Sequence, residues 1–441
     1  MQTRSPFASW YALATLSVVT LYALMDAQVL GLLAQSMKAD LHLSDTQLGS
    51  LRGLGAVLFG AIAVLPLGWL ADRIDRRLLL ALCILVWSAA VASCGLATGY
   101  WSLLACMAFL SAGEAGLSPV VYSLIPELFP ERQRLTANFV FYTATVLAGG
   151  AGLAIAGAVI NHIDRVAPWF PIEPFARQTW RLVFFAVAVP GPLLALALGL
   201  VRLKRSGAQA SPQGVSSRPQ EQPQLWRYLA SNWKSIFGVF GSVGLMLLGA
   251  GAVFTWLPII LTREFALSAG AVGVGLGTAL AAGSVAGLVI SAASAKTLTT
   301  KLGVATPLRL SQLGYLTLAV LTPFYYVAHS STQIFLIAGL QMAAVTGSSA
   351  LMPTVVQNLA PASLRGRVFA ISTMSATLMQ VISPIAVGLL SDHVFNRDGG
   401  LLLSSIVFGT PCLFAAAMTL RLTEKRILKT VEGVRALPDP T

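Results

Sequence analysis

Residues 103–134 read LLACMAFLSAGEAGLSPVVYSLIPELFPERQR. The apolar part of this stretch is long enough to cross a bilayer as a helix, yet it carries a carboxylate, Glu114, near its middle. A charge at that depth costs roughly 2.5–3.5 kcal/mol on insertion scales. Polar or adaptable residues recur on the face of Glu114 at helical spacing: Met107, Ser111, Glu114, Ser118 and Tyr122. We therefore predict that this helix lines a cavity instead of facing lipid.

The composition predicts a polytopic membrane protein. The chain has 441 residues, of which 56% are hydrophobic and only 10% are charged, and its mean hydropathy is +0.75. A soluble protein carries about 25% charged residues. The net charge is +12, but the basic residues lie between apolar runs, so we predict no nucleic-acid partner. The four cysteines lie inside apolar runs without metal-ligand spacing and are predicted to be small buried residues.

Twelve apolar runs are each long enough for a transmembrane helix. They are predicted at about Trp10–Ala34, Leu48–Leu70, Leu78–Ala97, Trp101–Ile125, Leu135–Ile160, Trp180–Leu203, Ile236–Leu261, Ala269–Ala293, Val304–Val327, Gln333–Gln357, Val368–Leu390 and Leu401–Leu420. The predicted fold is an all-α integral membrane protein with two six-helix bundles.

The predicted domains follow from a polar break after the sixth run. Residues 1–203 form the first bundle, 236–421 the second and 422–441 a tail. Residues 204–235 form a linker, in which SGAQASPQGVSSRPQEQPQ is typical of a flexible segment and LWRYLASNWKS of a short helix at the membrane surface. Most of the 29 Lys and Arg residues fall in loops on one side of the predicted membrane. The positive-inside rule then predicts that both termini are cytoplasmic, in a cell (inner or plasma) membrane.

A loop between the second and third runs reads GWLADRIDRR, residues 68–77. It resembles the loop pattern G-x-x-x-D-R-x-x-[GN]-R-[RK] of the major facilitator superfamily, except that Asp75 stands where the family has Gly or Asn. The resemblance implies a conformational gating role for Gly68, Asp72, Arg73 and Arg77. The alternative interpretation is that these are ordinary loop charges of a cytoplasmic turn.

Further motifs resemble the spinster branch of this superfamily, a group of proposed proton-coupled carriers of lysolipids and other amphipaths. These motifs span nearly the whole chain: Trp87-Ser88, Gly113-Glu114-Ala115, Pro119, Pro126–Pro130, Arg134, Trp256–Pro258, Arg263, Arg365–Arg367, Ser383-Pro384 and Ser391-Asp392. The resemblance adds Arg134 to the predicted gating residues.

Two positions depart from the spinster pattern. Ala27 follows Asp26 where the pattern has Arg, and Met107 stands where the pattern has an Arg before the Glu114 position. Both family cations of the first-half cavity are therefore missing. Arg52, near the outer end of the second run, is the candidate replacement.

The predicted substrate and proton site lies mainly in the first half. Asp26 and Glu114 are the candidate proton-binding residues, with hydrogen-bond hubs between helices as the alternative role. Tyr22 lies four residues before Asp26 on the same face of the first helix, and Ser111, Ser118 and Tyr122 share the face of Glu114 on the fourth. For Arg52 the alternative is a snorkelling charge at the membrane surface.

In the second half, Gln341 and Trp256 are predicted to line the site, although core packing explains either residue equally well. The Gly-rich runs follow no strand and precede no Gly-Lys-Ser/Thr, so they predict close helix packing without a nucleotide site. No cofactor and no metal are predicted.

The leading functional prediction is a monomeric secondary transporter in the lipid bilayer. It moves an amphipathic small molecule by alternating access, coupled to protons. Alternatives are a facilitator or exchanger of small organic anions and a non-transporting ligand sensor. A membrane-embedded enzyme is disfavoured, because the sequence offers no HExxH motif, no Ser-His pair within helices and no metal-ligand cluster.

Overall fold

The computed structural model describes residues 6–71, 73–117, 121, 124, 125, 128–166, 178–200, 222–361 and 364–435. Across these residues the chain is helical and contains no β-strand. The helices are α1 (Pro6–Leu41), α2 (Asp45–Ser50), α3 (Phe59–Ala71), α4 (Arg76–Cys94), α5 (Tyr100–Ala115), α6 (Glu131–Val166), α7 (Thr179–Ala188), α8 (Pro190–Leu200), α9 (Gln222–Ser231), α10 (Trp233–Phe254), α11 (Leu257–Glu264), α12 (Ala269–Leu302), α13 (Thr306–Leu321), α14 (Ser331–Asn358), α15 (Arg365–His393) and α16 (Gly400–Arg435).

Ten helical stretches of the described chain are long and apolar enough to cross a membrane. One of them, Ala269–Tyr325, is 57 residues long and is divided by a 3-10 turn at Gly303–Ala305 into α12 and α13. A single crossing needs about 20 residues, so this stretch supplies two of the predicted spans. The helix α5 matches the start of the predicted fourth span, whose later part is described only at isolated positions.

Three spans of the described chain are interrupted within the membrane-spanning sequence. In the sixth span α7 ends at Ala188 and α8 begins at Pro190. In the second span a π-helix, Leu51–Leu58, joins α2 to α3. In the seventh span the helix stops at Phe254 and restarts at Leu257, one residue before Pro258. Proline has no amide hydrogen to continue a helical ladder, so a break immediately before it leaves fewer carbonyls without a donor.

The chain forms two compact units. Unit 1 comprises Met1–Ala210 and Leu257–Ala281, and unit 2 comprises Ser211–Trp256 and Ala282–Thr441. The seventh span therefore changes unit at its break. Unit 1 includes a segment, Leu257–Ala281, that belongs to the predicted second bundle. The domain boundaries at residues 203, 235 and 421 remain predictions.

Within unit 1, α6 packs closely on α12 through small residues. A Cβ atom added to Gly157 would lie 2.6 Å from the Cα atom of Gly273, and one added to Gly277 would lie 2.4 Å from the backbone nitrogen of Ala154. Side chains larger than hydrogen do not fit at these positions without moving a backbone. Their role is the close helix packing that the Gly-rich runs predicted.

Unit 2 is built on a core in which α10 packs against α15 and α16. The predicted surface helix exists as α9, and its Leu225, Tyr228 and Leu229 pack against that core. The helix α16 continues to Arg435, well past the predicted end of the twelfth span at Leu420. Most of the predicted tail is therefore an extension of this helix.

Candidate functional site

Asp26 lies on α1 with only 4% of its surface exposed. Tyr22 and Trp87 lie beside its carboxylate, but the Tyr22 hydroxyl donates its proton to the Val187 carbonyl at 2.9 Å. The neighbouring Ser88 hydroxyl donates to the Ala188 carbonyl at 2.6 Å. Among the described residues, neither oxygen of Asp26 has a hydrogen-bond partner. The hydroxyls of Tyr22 and Ser88 are thus bonded to the backbone at the C-terminal end of α7, whereas the Trp87 indole nitrogen has no partner in the described chain.

Glu114 stands one residue before the end of α5, and its Oε1 atom is buried without a hydrogen-bond partner in the described chain. The helix α5 approaches α4 closely here, because a Cβ atom on Gly113 would lie 2.7 Å from the Cβ atom of Trp87. Glu114 also lies within electrostatic range of Asp26. The structure therefore brings together the two carboxylates that the sequence singled out.

Arg52 lies in the π-helix and points its guanidinium at α1. Its Nη1 atom lies 3.4 Å from the Ala27 carbonyl oxygen, and a Cβ atom on Gly31 would lie 2.0 Å from its Nη2 atom. The absence of a side chain at Gly31 is what leaves room for the guanidinium. Arg52 forms no ion pair with Asp26, since both oxygens of that carboxylate are without a partner in the described structure.

The π-helix itself packs against α5. Ser111 donates from its hydroxyl to the Gly55 carbonyl oxygen at 2.8 Å, and a Cβ atom on Gly55 would lie 2.8 Å from the Cβ atom of Met107. Ser111 and Met107, which share the predicted face of Glu114, are thus buried between helices. π-Helices are rare and recur at functional sites. Ser118 and Tyr122, which complete the stripe, lie outside the described residues.

A buried ion-pair cluster in unit 1 was missed by sequence reasoning. Arg263 of α11 donates two hydrogen bonds to the Asp45 carboxylate, at 2.8 and 2.9 Å. Lys38 donates to the same carboxylate at 2.5 Å, and Gln35 accepts from Arg263 at 3.3 Å. Asp45 is 2% exposed. Because Asp45 and Arg263 are 218 residues apart, only the fold brings them together, although a basic residue after Trp256–Pro258 was visible in the sequence.

In unit 2, Gln341 is 1% exposed and its amide is fully engaged. The Tyr325 hydroxyl donates to Gln341 Oε1 at 2.9 Å, while Gln341 Nε2 donates to Thr322 Oγ1 at 3.0 Å and to the Leu318 carbonyl at 3.3 Å. A side chain with no spare donor is poorly suited to hold a ligand. Trp256 is also 1% exposed, and its indole nitrogen has no partner among the described residues.

The loop between α3 and α4 is described on either side of Asp72, which itself lies outside the described residues. Arg73 stacks on the Trp69 ring, 3.7 Å from its centroid. Asp75 caps α4, because its carboxylate accepts from the Arg77 amide at 2.8 Å. Asp and Asn are both good N-caps, which explains the departure from the family pattern at position 75. Gly68 lies in α3 and Arg134 in α6.

The sequence of the chain matches the model of a known protein family. Residues 16–384 match the family model of the Major Facilitator Superfamily, which is well over half of the chain. The chain belongs to the Major Facilitator Superfamily. It is therefore an integral membrane transporter with the twelve-helix, two-bundle fold of that superfamily, and it is not an enzyme.

Relatives of known description place the chain within this superfamily. It is 25% identical over 418 residues to an MFS-type efflux pump of Mycolicibacterium smegmatis, covering 94% of this chain and 91% of that one. It is 24% identical over 262 residues to protein spinster homolog 3 of Mus musculus, covering 57% of this chain and 46% of that one. The chain thus matches less than half the length of this spinster protein.

A solved structure supports the fold. The chain resembles the crystal structure of a bacterial homolog of the human lysosomal transporter Spinster, with a TM-score of 0.75, 19% identity and 98% coverage of both chains. The spinster resemblance predicted from Trp87-Ser88 and Gly113–Ala115 is confirmed by these similarities.

For the described residues, no group of three His, Cys, Asp or Glu side chains has the geometry of a metal site.

Proposed function

We propose that this transporter couples protons to the movement of an amphipathic small molecule, through Asp26 and Glu114 in unit 1. The observation that carries the proposal is a pair of carboxylates within electrostatic range of each other, of which both oxygens of Asp26 and Oε1 of Glu114 are buried without hydrogen-bond partners in the described chain. A buried charge without a partner costs several kcal/mol. Such groups are retained when they do something that a hydrophobic residue cannot do, and for a carboxylate that is to bind and release a proton.

Alternating access supplies the cycle in which the proton is exchanged. With both carboxylates charged, a closed and dry intermediate is costly, because two like charges are then removed from water together. A proton or a cationic group of the substrate removes that cost. The proposed transporter is a monomer in the cell (inner or plasma) membrane. Its termini are placed in the cytoplasm, which the distribution of Lys and Arg supports.

The amphipathic substrate class is inferred from the spinster resemblance, because one relative, 26% identical over 44% of this chain, is named a sphingosine-1-phosphate transporter. One observation favours the second candidate, transport of a small organic anion. The Arg52 guanidinium lies beside α1 in the same unit as both carboxylates, with Gly31 leaving space for it. A cation in that place suits an anionic group, whether it belongs to an organic acid or to the head of an amphipath.

The test is flux into proteoliposomes that contain the purified full chain, with and without an imposed pH gradient. Radiolabelled lysophosphatidylcholine and radiolabelled glucuronate serve as the amphipath and the small anion. We expect lysophosphatidylcholine to move and its rate to rise with the gradient. Movement of glucuronate alone would establish transport of a small organic anion. Equal transport rates with and without the pH gradient would refute proton coupling. Ligand binding without any flux would indicate a sensor.

A further inference from the structure

Unit 2 contains a cleft of about 590 Å³ where three helices meet. The C-terminal end of α9, the first turn of α10 and the last turns of α16 form its walls. Its volume lies within the range of 300–1,000 Å³ that is typical of small-molecule sites. None of the candidate transport residues belongs to it.

The charged residues that line the cleft are all basic. They are Lys234 from α10 and Arg426 and Lys429 from α16, and all three are exposed. No ion pair in the described structure neutralises any of them. Lys234 lies over the Trp233 ring, 5.4 Å from its centroid, which orients its ammonium group without cancelling its charge.

The nearby carboxylates do not form ion pairs with the three cations of the cleft. Glu432 is exposed and lies three residues after Lys429 without pairing with it. Glu424 is committed elsewhere, because it accepts from Arg309 at 2.8 Å and from Arg421 at 2.7 Å. The three cations therefore share a positive field that an anion can enter.

The floor of the cleft is fixed by hydrogen bonds. The Tyr228 hydroxyl donates to the Leu359 carbonyl at 2.5 Å, which holds α9 to the core of unit 2. Burial raises the pKa of the Tyr228 hydroxyl above its ordinary value, so this group adds no negative charge. The hydroxyls of Ser235 and Thr430 are 2.8 Å apart and join α10 to α16.

Exposed tryptophan occurs at the cleft, as is typical of a membrane interface. Trp233, which lines the cleft, is 56% exposed, and Trp226 of α9, which does not line it, is 65% exposed. Tryptophan is enriched at the level of lipid headgroups, and α10 continues from Trp233 directly into an apolar transmembrane run. A ligand of this cleft thus meets three cations and, beside Lys234, the exposed Trp233 indole ring.

We propose that this cleft binds the headgroup of an anionic phospholipid, with the phosphate held by Lys234, Arg426 and Lys429. Basic pockets beside transmembrane helices bind acidic headgroups, and clustered Lys and Arg residues add attraction for them. A free phosphate ion would fill only a small part of the cleft and would leave the exposed Trp233 ring without contact. The lipid ties the linker helix α9 and the extension of α16 to the bilayer surface. This site is independent of the proposed transport mechanism.

The test compares lipid binding by two triple variants of the purified full chain in detergent. The first, K234A/R426A/K429A, removes the three cations of the cleft. The second, K296A/K301A/K425A, removes three exposed cations of unit 2 that lie outside it. Phosphatidylglycerol, phosphatidylcholine and inorganic phosphate are titrated against each protein, with thermal unfolding and native mass spectrometry as readouts.

We expect phosphatidylglycerol, and neither of the other two probes, to stabilise the wild-type protein and to remain bound in the spectrometer. The first variant should lose about tenfold or more in apparent affinity for phosphatidylglycerol, while the control variant keeps it. Equal losses in both variants would overturn the site, as would equal stabilisation by phosphatidylcholine. Stabilisation by inorganic phosphate to the same extent would show an ion site in place of a lipid site. Mass spectrometry keeps the test decisive if the first variant is less stable on its own.

Discussion

The buried polar side chains of the two units differ in how they are satisfied. In unit 2, Gln341 uses both amide hydrogens and its carbonyl oxygen in hydrogen bonds to Tyr325, Thr322 and a backbone carbonyl. In unit 1, neither oxygen of Asp26 has a partner among the described residues. A satisfied group stabilises one structure, whereas an unsatisfied one keeps its capacity to bind a proton or a ligand. We therefore propose a structural role for Gln341 and a functional role for Asp26 and Glu114.

A second contrast lies within unit 1. The Asp45 carboxylate is as buried as that of Asp26, but it accepts hydrogen bonds from both Arg263 and Lys38. Burial alone therefore does not distinguish a functional carboxylate from a structural one in this protein. We propose that the presence or absence of a charged partner makes this distinction.

The largest effect is expected from Asp26→Asn. This change keeps the size of the side chain but removes its ability to exchange a proton, so pH-gradient-driven uptake of lysophosphatidylcholine should fall about tenfold or more. Exchange of substrate across the membrane without a gradient should persist, because it needs no net proton movement. Both rates are measured in the same proteoliposomes. Gradient-driven uptake at the wild-type rate would remove Asp26 from the mechanism.

A smaller effect is expected from Gly31→Ala, which sharpens the place of Arg52 in unit 1. The added Cβ atom would lie 2.0 Å from Arg52 Nη2, so the guanidinium must move. We expect uptake to fall roughly threefold to tenfold, as a misplaced binding group predicts. The matched control is Gly149→Ala, since a Cβ atom there meets nothing within 4 Å. If the two alanine variants transport equally well, Arg52 has no role that depends on its position.

Arg263→Ala tests the contrast between paired and unpaired carboxylates. It leaves buried Asp45 with Lys38 alone, and we expect the protein to lose about 1–2 kcal/mol of stability and transport to change by roughly threefold at most. Asp26→Asn removes no partner and should not lower the unfolding temperature. Unfolding temperatures of both variants in one detergent provide the measurement. A stability loss in Asp26→Asn equal to that in Arg263→Ala would erase the distinction.

The smallest effect on transport is expected from Gln341→Leu. The change strands the hydroxyl of Tyr325 and its neighbours, so the unfolding temperature should fall, by an amount consistent with about 0.6–2 kcal/mol for hydrogen bonds within a membrane protein. Transport per folded molecule should stay within about twofold of the wild type. A tenfold loss of transport in fully folded protein would instead place Gln341 in the substrate site.

Much of the fold follows from sequence, because a bilayer requires long apolar helices and leaves few alternative structures. The spans, the surface helix α9 and the Gly-mediated packing of α6 on α12 were all readable from composition and periodicity. The π-helix at Leu51–Leu58 was not, since it depends on how Gly55 and Ser111 meet across two helices. Pro258 signals the break in the seventh span locally, but no local signal shows that the chain passes from unit 2 to unit 1 there.

The candidate site was predicted in part. Asp26 and Glu114 stood out because a charge in an apolar run is costly and therefore informative. Sequence could not show that Arg52 lies beside Ala27 without reaching Asp26, or that Arg263 reaches Asp45, because these contacts join residues far apart in the chain. Gln341 was grouped with the site residues on helical spacing alone, and spacing does not reveal which hydrogen bonds a side chain already makes.

The most direct measurement is a proton count upon substrate binding. Purified protein in weakly buffered detergent solution is mixed with lysophosphatidylcholine, and a pH indicator reports protons released or taken up per protein. We predict a measurable proton exchange in the wild type and in Gln341→Leu, a reduced one in Asp26→Asn and in Glu114→Gln, and none when both carboxylates are replaced. An unchanged proton count in the double variant, with binding intact, would contradict the assignment of these two carboxylates as the proton site.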